Sequence, residues 1–298
     1  MSARVDVIVV NWNDRERTPQ AIDSVLALSE VRADPTLVEV IVSDNGSSDG
    51  SPDLIEQRYG TRVRVLRNGA NLGFGAGVNR AFARTEAPFV FLLNPDAKLK
   101  DGCIARLLAF MDAHPQCAIA GPKIYESDGH VAESCGEFDT WTGAFLRSSA
   151  WGELPGLRNL ANGADLRRWN YASERKVDLV IGAALLIRRS AAMSIDGGRL
   201  FDERYFMYHE EIDLAKRLAD AGYESWFVPS AEAIHEGQGS SGGRGVEAYK
   251  QRSRRLYWIK HHGPWWYYSL SAALVARYVL YLGMVIGLGL AVRGMLRR

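Results

Sequence analysis

Three apolar runs in the N-terminal third of the chain each end abruptly in polar residues, and this pattern limits the possible folds more than any other feature. The runs are VDVIVV (5–10), LVEVIVSD (37–44) and FVFLL (89–93). Continuous apolar, β-branched runs of this length are typical of strands that are covered on both faces. A helical stripe from Ala21 to Leu28 separates the first two runs. This alternation predicts an α/β fold with an open, mostly parallel sheet and flanking helices.

The rest of the chain extends the pattern and then departs from it. Further predicted elements are strands at 63–67, 117–125 and 223–229, a strand pair or strand-turn at 177–189, helices at 76–84, 102–113, 209–222 and 246–262, and a glycine-rich loop at 237–245. Residues 126–176 show no strong period, which favours an insertion or a substrate-facing loop. We predict one α/β domain over residues 1–245 and a helical C-terminal part over residues 246–298.

The composition excludes several classes of protein. The 36 Lys and Arg residues balance 35 Asp and Glu residues, so the chain lacks the basic footprint of a nucleic-acid-binding protein. The three cysteines are far apart and form no C-x-x-C pair, which argues against a disulfide framework or a zinc site. Asp6 interrupts the short N-terminal apolar run, so we expect no secretory signal and a cytoplasmic site of action.

The C-terminal segment 265–292 (WWYYSLSAALVARYVLYLGMVIGLGLAV) has one charged side chain, Arg277. Its length would span a bilayer, and its leading aromatic residues are typical of a membrane interface. An Arg near the centre of a span costs about 2.5–3.5 kcal/mol, so a hairpin-like or interfacial arrangement is an alternative, and a buried soluble helix is another. We expect membrane association at the cytoplasmic face of the plasma membrane, peripheral or anchored by this segment.

The basic stretch KQRSRRLYWIKHH (250–262) precedes that segment. It could rest on anionic lipid headgroups, where each Lys or Arg contributes about 1 kcal/mol. The alternative is a solvated basic helix face.

Polar segments follow the inferred strands at the edge where open sheets bind ligands. Taken singly, each could be simple turn chemistry. Together they predict a nucleotide crevice in which Asp44 accepts a hydrogen bond from the imide N–H of a pyrimidine base. Asp96, within Asn94-Pro95-Asp96, would hold a divalent cation that neutralises a diphosphate. The other candidate ligand-binding residues of these segments are Asn11, Asn13, Asn71, Gly73, Asn79 and Asn94.

Six motifs in this order carry a resemblance to a known family. They are VDVIVVNWN, VEVIVSDNGSSDGS, NLGFGAGVNRA, FLLNPDA, YFMYHEEIDLAKR and IHEGQGSS, spread over residues 5–241. The chain resembles the family 2 glycosyltransferases of the GT-A fold, in their rhamnosyltransferase-like branch. The resemblance implies that Asn94-Pro95-Asp96 stands in for a D-x-D metal motif that binds Mg²⁺ or Mn²⁺. The first acidic position of that motif is Asn in this chain, which implies a loosely held metal.

The resemblance also implies the reaction and its partners. An inverting enzyme would move a sugar, with L-rhamnose from dTDP-L-rhamnose the best expectation, from a nucleotide-diphosphate donor to a cell-envelope glycan or polyprenyl-diphosphate-linked saccharide. His235 would ligate the metal or meet the diphosphate, unless it is a surface residue. A non-catalytic, membrane-associated carbohydrate-binding or scaffold protein is the alternative. A dehydrogenase is excluded because no glycine motif follows the first strand, where such enzymes bind their dinucleotide.

Three carboxylates in YFMYHEEIDLAKR are candidates for the general base. Asp213 stands four residues before Arg217, a spacing that predicts a structural ion pair. The resemblance then favours Glu211 as the base, with Glu210 assisting its orientation or binding the acceptor. The alternative is a solvated acidic helix start that the helix dipole favours. The aromatic residues of this motif are expected to pack and to form the acceptor wall.

Overall fold

The computed structural model describes residues 3–147, 157, 166, 169–237 and 246–295, and side chains within that set up to residue 283. The strands are β1 (Val5–Asn11), β2 (Val38–Asp44), β3 (Val63–Arg67), β4 (Phe89–Leu93), β5 (Ala97–Leu99), β6 (Cys117–Glu126), β7 (Cys135–Gly136), β8 (Arg175–Val177), β9 (Leu179–Val180), β10 (Ala184–Arg188) and β11 (Glu224–His235). The helices are α1 (Arg17–Leu26), α2 (Ser29–Ala33), α3 (Ser51–Tyr59), α4 (Phe74–Phe82), α5 (Cys103–Ala113), α6 (Trp141–Arg147), α7 (Arg189–Met193), α8 (Glu210–Asp220), α9 (Val246–His262) and α10 (Pro264–Met295).

The main sheet of the described residues has nine strands in the order β3-β2-β1-β4-β10-β6-β11-β5, with β8 beside β11. Strands β1 to β4 pair in parallel, and so do β6 and β11. In contrast, β10 runs antiparallel to both β4 and β6, while β5 and β8 run antiparallel to β11. The sheet is therefore mixed: six of its nine described strands run in one direction, as predicted, and β5, β8 and β10 run against them. The strand period reports which faces are buried but not the direction in which a strand runs.

The apolar runs form the centre of this sheet. Every residue of β1 and β4 is buried, as their continuous hydrophobic sequences predict. Helix α1 covers them with Ala21, Ile22 and Val25. Parallel register brings Asn11 level with Asp44 and Val9 level with Leu93. As a result, the loops that follow β1, β2 and β4 emerge at one edge of the sheet.

Strand β11 places a histidine at the same edge. The sequence predicts a strand that ends before His235, but β11 continues to this residue after a register shift between Val228 and Glu232. Antiparallel pairing with β5 sets His235 opposite Ala97, and the Glu236 N–H donates to the Asp96 carbonyl at 2.9 Å. Backbone pairing therefore fixes the approach of His235 to Asp96.

The chain divides into two compact units, one of Met1–Phe138 with Trp169–Ser253 and one of Asp139–Arg168 with Arg254–Arg298. The predicted boundary between residues 245 and 246 stays a prediction. Residues 238–245 of the predicted glycine-rich loop lie outside the described residues, as do parts of the predicted insertion. In the described part of the chain, no helix is long and apolar enough to cross a membrane.

Candidate active site

A cavity of about 290 Å³ opens in the first unit at the edge where β1 and β4 end. Most of the predicted site residues line it, namely Asn71, Gly73, Asn94, Asp96, Glu210, Glu211 and His235. Asn11, Asn13, Asp44 and Asn79 are not among its lining residues, and their hydrogen bonds hold the surrounding loops. The role of every one of these residues toward a ligand stays a prediction.

Asn11 and Asp44 form a buried hydrogen-bonded pair between the ends of β1 and β2. The Asn11 amide donates to Asp44 Oδ1 at 2.8 Å and to the Ser51 hydroxyl at 2.8 Å, and its oxygen accepts from Thr18 at 2.8 Å. Asp44 Oδ2 accepts the Ser47 N–H at 3.1 Å. Asp44 is only 2% exposed, so a base that bonds to its carboxylate would share oxygens that already accept internal hydrogen bonds.

Asn13 and Asn79 fasten loops at the rim of the site. Asn13 has a positive φ of 51°, and its side-chain oxygen accepts the Ser48 N–H at 2.8 Å. The Asn79 amide donates to the Phe201 carbonyl at 2.8 Å and accepts from the Phe201 N–H at 2.9 Å. This two-bond contact ties α4 to the segment that leads towards α8.

The glycine-rich turn before α4 meets the chain just ahead of α8. Gly73 has φ 86°, and a Cβ there would lie 2.3 Å from the Phe206 carbonyl oxygen. The same oxygen accepts the Phe74 N–H at 2.9 Å. Buried Asn45 also stabilises the turn, because its amide donates to the Gly73 carbonyl at 2.9 Å. Glycine at 73 therefore permits a close approach between two backbone segments of the chain itself.

Asp96 and His235 form the polar end of the cavity. Asn94-Pro95-Asp96 is a turn, in which the Ala97 N–H donates to the Asn94 carbonyl at 3.1 Å. It delivers the Asp96 carboxylate, 6% exposed, to within 3.3 Å of His235 Nε2. Burial acts to raise the pKa of Asp96, but the hydrogen bond and charge of His235, with the charge of Arg17, hold it below its ordinary value. Asp96 is therefore an ionised carboxylate at neutral pH.

The donor set at this end fits a hard divalent cation that is shared with a ligand. Across the described residues, no group of three or more His, Cys, Asp or Glu side chains is arranged to hold a metal ion. Asp96 and His235, with the Asn94 amide nearby in the lining, would supply only part of a coordination sphere. Mg²⁺ commonly binds to one or two carboxylates together with substrate phosphate oxygens.

Asp14 and Arg17 also line the cavity, and the sequence motifs gave no role to either. Asp14 accepts the Arg17 backbone N–H at 2.8 Å and its Nε–H at 2.7 Å. Trp12 between the two predicted asparagines is another lining residue, with 42% of its surface exposed. Its place directly after a buried strand is the sequence signal that could have identified it.

Glu210 and Glu211 stand at the start of α8 and line the same cavity. Two consecutive residues in the left-handed region, Tyr208 and His209 with φ 68° each, turn the chain into this helix. Such a conformation is uncommon for residues other than glycine and is held by the surrounding structure. The Glu211 side chain packs within 3.6 Å of the position that a Cβ on Gly182 would occupy.

Both glutamates are set up to hold a proton. The Oε2 atom of each is buried and has no hydrogen-bond partner among the described residues. Burial and the charge of Glu211 raise the pKa of Glu210 well above its ordinary value, and burial also raises the pKa of Glu211. Carboxylates that are ionised in such surroundings are strong proton acceptors.

Asp213 is engaged away from the cavity. It pairs with Arg217 Nε at 2.7 Å and is completely buried, and Arg217 also donates to the Leu200 carbonyl at 2.6 Å. The structural ion pair that the sequence spacing predicts is confirmed. Of the aromatic residues before the helix, Tyr208 lines the cavity, Tyr205 is buried, and Phe206 stacks on Tyr249 with ring centroids 5.1 Å apart.

Comparison with known proteins places these features in one family. The sequence profile described as "Glycosyl transferase family 2" matches residues 6–160. Over 242 residues, the chain is 36% identical to the N-acetylglucosaminyl-diphospho-decaprenol L-rhamnosyltransferase of Mycobacterium tuberculosis, with 77% of each protein covered. It is 25% identical over 215 residues to the rhamnosyltransferase WbbL of Escherichia coli, which covers 70% of this chain and 76% of that protein.

Solved structures show the same fold at low sequence identity. GalNAc-T7 with UDP, GalNAc and Mn²⁺ aligns with a TM-score of 0.61 and 14% identity, over 86% of this chain and 48% of its own. The mannosyltransferase PcManGT from Pyrobaculum calidifontis, in complex with GDP-Man and Mn²⁺, aligns with a TM-score of 0.55 and 16% identity, over 97% of this chain and 81% of its own. The predicted GT-A class of fold is confirmed.

The contact between Gly73 and Phe206 predicts a large effect of a single methyl group. Gly73→Ala should lower the free energy of unfolding by at least about 2 kcal/mol more than Gly69→Ala, because overpacking adds to the backbone cost. Gly69 is the matched control, since it also has a positive φ (77°) but nothing within 4 Å of the added Cβ. Urea unfolding of both variants measures the difference, and equal losses would contradict the proposed close approach.

Proposed function

The chain belongs to glycosyltransferase family 2 and is a glycosyltransferase, and we propose that it transfers L-rhamnose with inversion from dTDP-L-rhamnose to a polyprenyl-diphosphate-linked saccharide. The observation that carries this proposal is a single cavity that unites Asp96 and His235 with the Glu210–Glu211 pair. Asp96 and His235 can hold a cation that binds the donor diphosphate, and the glutamate pair can take a proton. The sequence left a non-catalytic carbohydrate-binding or scaffold protein as an alternative. The assignment as a glycosyltransferase replaces that alternative.

Two relatives support the choice of sugar and acceptor. The mycobacterial relative is named as an L-rhamnosyltransferase that acts on N-acetylglucosaminyl-diphospho-decaprenol, and the relative from E. coli is also named as a rhamnosyltransferase. The first covers 77% of this chain at 36% identity. We therefore propose the same class of acceptor, a saccharide on a prenyl diphosphate carrier.

The polar end of the cavity would receive the donor diphosphate. Asp96 and His235 would hold Mg²⁺ or Mn²⁺, which would neutralise the charge that develops on the leaving nucleoside diphosphate. Asp96 is ionised and fixed by the turn at Pro95 and by the β5–β11 pairing, so its carboxylate is in place before the donor binds. The adjacent Asn94 amide can contribute a neutral oxygen only, which limits the protein's share of the coordination.

The Glu210–Glu211 pair would activate the acceptor. In the proposed step, Glu211 takes the proton of an acceptor hydroxyl while that oxygen forms a bond to the sugar's anomeric carbon. The bond from that carbon to the diphosphate oxygen breaks, and the electron pair leaves with the nucleoside diphosphate. Because the acceptor attacks from the face opposite the diphosphate, the configuration is inverted. Glu210 lies beside Glu211, and its charge state affects how readily Glu211 binds the proton.

The second unit supports a membrane-facing role. In its described residues, large apolar side chains of α10 are exposed, with Trp265 86%, Val279 60% and Leu280 70% accessible. No acidic residue occurs between Trp265 and the C-terminus. An apolar, acid-free helix surface suits contact with a membrane that contains anionic lipids. We propose that this surface binds the membrane that carries the acceptor; its assignment to the cytoplasmic face stays a prediction.

The donor assignment is tested with purified protein and a panel of nucleotide sugars. We expect dTDP-L-rhamnose, with Mn²⁺, to raise the melting temperature more than UDP-glucose or GDP-mannose does. A ligand stabilises the folded state by an amount that grows with the logarithm of its concentration relative to its Kd. Transfer to a synthetic N-acetylglucosaminyl-diphospho-prenol is then followed by mass spectrometry. An equal or larger shift with another donor would remove rhamnose from the proposal.

The base assignment predicts a selective loss of turnover. Glu211→Gln keeps the size of the side chain but removes the proton acceptor, so kcat should fall about 10²–10⁴-fold with donor affinity nearly unchanged. In the native enzyme kcat/KM should fall as the pH drops through the raised pKa of the pair, because the base must be unprotonated. Exposed Glu56→Gln is the control. Normal turnover in Glu211→Gln beside an inactive Glu210→Gln would show that Glu210 is the base.

The lipid surface is tested by flotation with vesicles of phosphatidylcholine and phosphatidylglycerol. Val279→Ser with Leu280→Ser should weaken binding at least about tenfold, because burial of one large aliphatic side chain contributes about 1.5–3 kcal/mol. Val131→Ser, at an exposed position of the first unit, should bind like the native protein. Equal flotation of all three proteins would contradict a membrane contact through α10.

A further inference from the structure

The charge balance of the cavity is unfavourable for an anionic donor. Its described lining includes four carboxyl groups, those of Asp14, Asp96, Glu210 and Glu211, of which Asp96 is ionised and the two glutamates are set up to hold a proton. Among the same lining residues, Arg17 is the only arginine or lysine. A nucleoside diphosphate that enters at Asp96 would bring further negative charge to this place. A permanent positive charge in the same lining therefore has a large influence on binding.

Arg17 is located and held where such a charge is needed. It is the first residue of α1, which follows the end of β1 after a short loop. Asp14 fixes it through two bonds, to the backbone N–H at 2.8 Å and to Nε–H at 2.7 Å. The Arg17 side chain is 26% exposed, whereas the Asp14 side chain is 6% exposed. Arg17 and Asp96 line the same cavity.

The small number of protein ligands available to a metal ion gives a reason for a second positive charge, from a side chain. Asn94 offers an amide where a second carboxylate would bind a cation more strongly, and Asp96 is the sole carboxylate of that turn. A divalent ion held by so few protein groups leaves part of the diphosphate charge to be balanced by other means. Arginine suits this purpose, since its guanidinium is always charged and matches phosphate oxygens with paired N–H donors.

We propose that Arg17, positioned by Asp14, binds the diphosphate of the donor and provides a component of donor binding that does not require a metal ion. This inference rests on the proposed function, and it names a residue and a mode of binding that the motifs of the sequence do not supply. Asp14 is a positioning residue in this arrangement, because it acts through Arg17.

A purely structural role for the Asp14–Arg17 pair makes a different prediction. The pair is three residues apart at the start of α1, and the Asp14 carboxylate accepts a backbone N–H there, as helix-capping residues do. If capping were its whole purpose, Arg17→Lys and Arg17→Gln would bind the diphosphate alike, since both keep the backbone N–H that Asp14 accepts. If the charge binds the diphosphate, Arg17→Lys retains much of the affinity that Arg17→Gln loses.

The experiment is isothermal titration of the full chain with dTDP, UDP and GDP, each compared with its nucleoside, in EDTA and in Mn²⁺. For the diphosphate that the native protein binds best, Arg17→Gln should weaken binding in EDTA by at least about tenfold, the effect of one lost charge-assisted contact. Arg17→Lys should weaken it less than Arg17→Gln. Nucleoside binding should change less than about threefold. Arg15→Gln, which removes an arginine that bonds to the Asp49 carbonyl and does not line the cavity, should match the native protein.

The outcomes separate this inference from the proposed function. Native binding of a diphosphate, with no loss in Arg17→Gln or an equal loss in Arg17→Lys and Arg17→Gln, would overturn the role of Arg17 and leave the donor class intact. Failure of the native protein to bind any of the three diphosphates, even with Mn²⁺, would overturn the donor class and the inference with it. Thermal unfolding of each variant verifies that the loss of binding is measured on folded protein.

Discussion

The buried side chain of Asn11 joins more segments around the cavity than any other contact described above. Its amide donates to Asp44 at the end of β2 and to Ser51 at the start of α3, and its oxygen accepts from Thr18 in α1. Every one of these groups is buried, so loss of a partner would leave polar atoms without water to replace it. The loops that emerge around Asp14 and Asp44 are thus held at one edge of the sheet.

The second constraint is the contact between the glycine turn at Gly73 and the carbonyl of Phe206. It sets the distance between α4 and the left-handed turn at Tyr208 and His209, and this turn presents Glu210 and Glu211 to the cavity. Close backbone packing at one point thereby decides where the proposed base lies. Tight packing of this kind resists small displacements, which suits a site where the reacting groups must be held in fixed positions.

The two ends of the cavity differ in their electrostatics for physical reasons that can be traced to their partners. Asp96 lies 3.3 Å from His235 Nε2 and stays ionised, while Glu210 and Glu211 lie together in a buried place and have raised pKa values. An ionised carboxylate beside His235 is suited to hold a divalent cation that would neutralise the donor diphosphate. A desolvated pair of carboxylates is suited to proton transfer at the acceptor.

Much of the site could be predicted from the sequence because strand ends are local features. Buried apolar runs stop at Asn11, Asp44 and Asn94, and the order of the six motifs along the chain is enough to indicate the family. The spacing of Asp213 and Arg217 likewise specified an ion pair within one helix, since residues four apart share a helix face. These inferences hold because they depend on residues close together in the chain.

Only the tertiary structure decided which of these residues meet. The antiparallel direction of β10, the extension of β11 to His235 and its pairing with β5 depend on long-range strand partners, which no local period encodes. The presence of Arg17 and Asp96 in one cavity arises from two loops that are distant in sequence and converge at one sheet edge. The sequence by itself determined the main strands and helices, the buried faces of the apolar strands and the family. The tertiary structure determined the strand directions, the neighbours and the charges of the cavity, because these depend on contacts between distant parts of the chain.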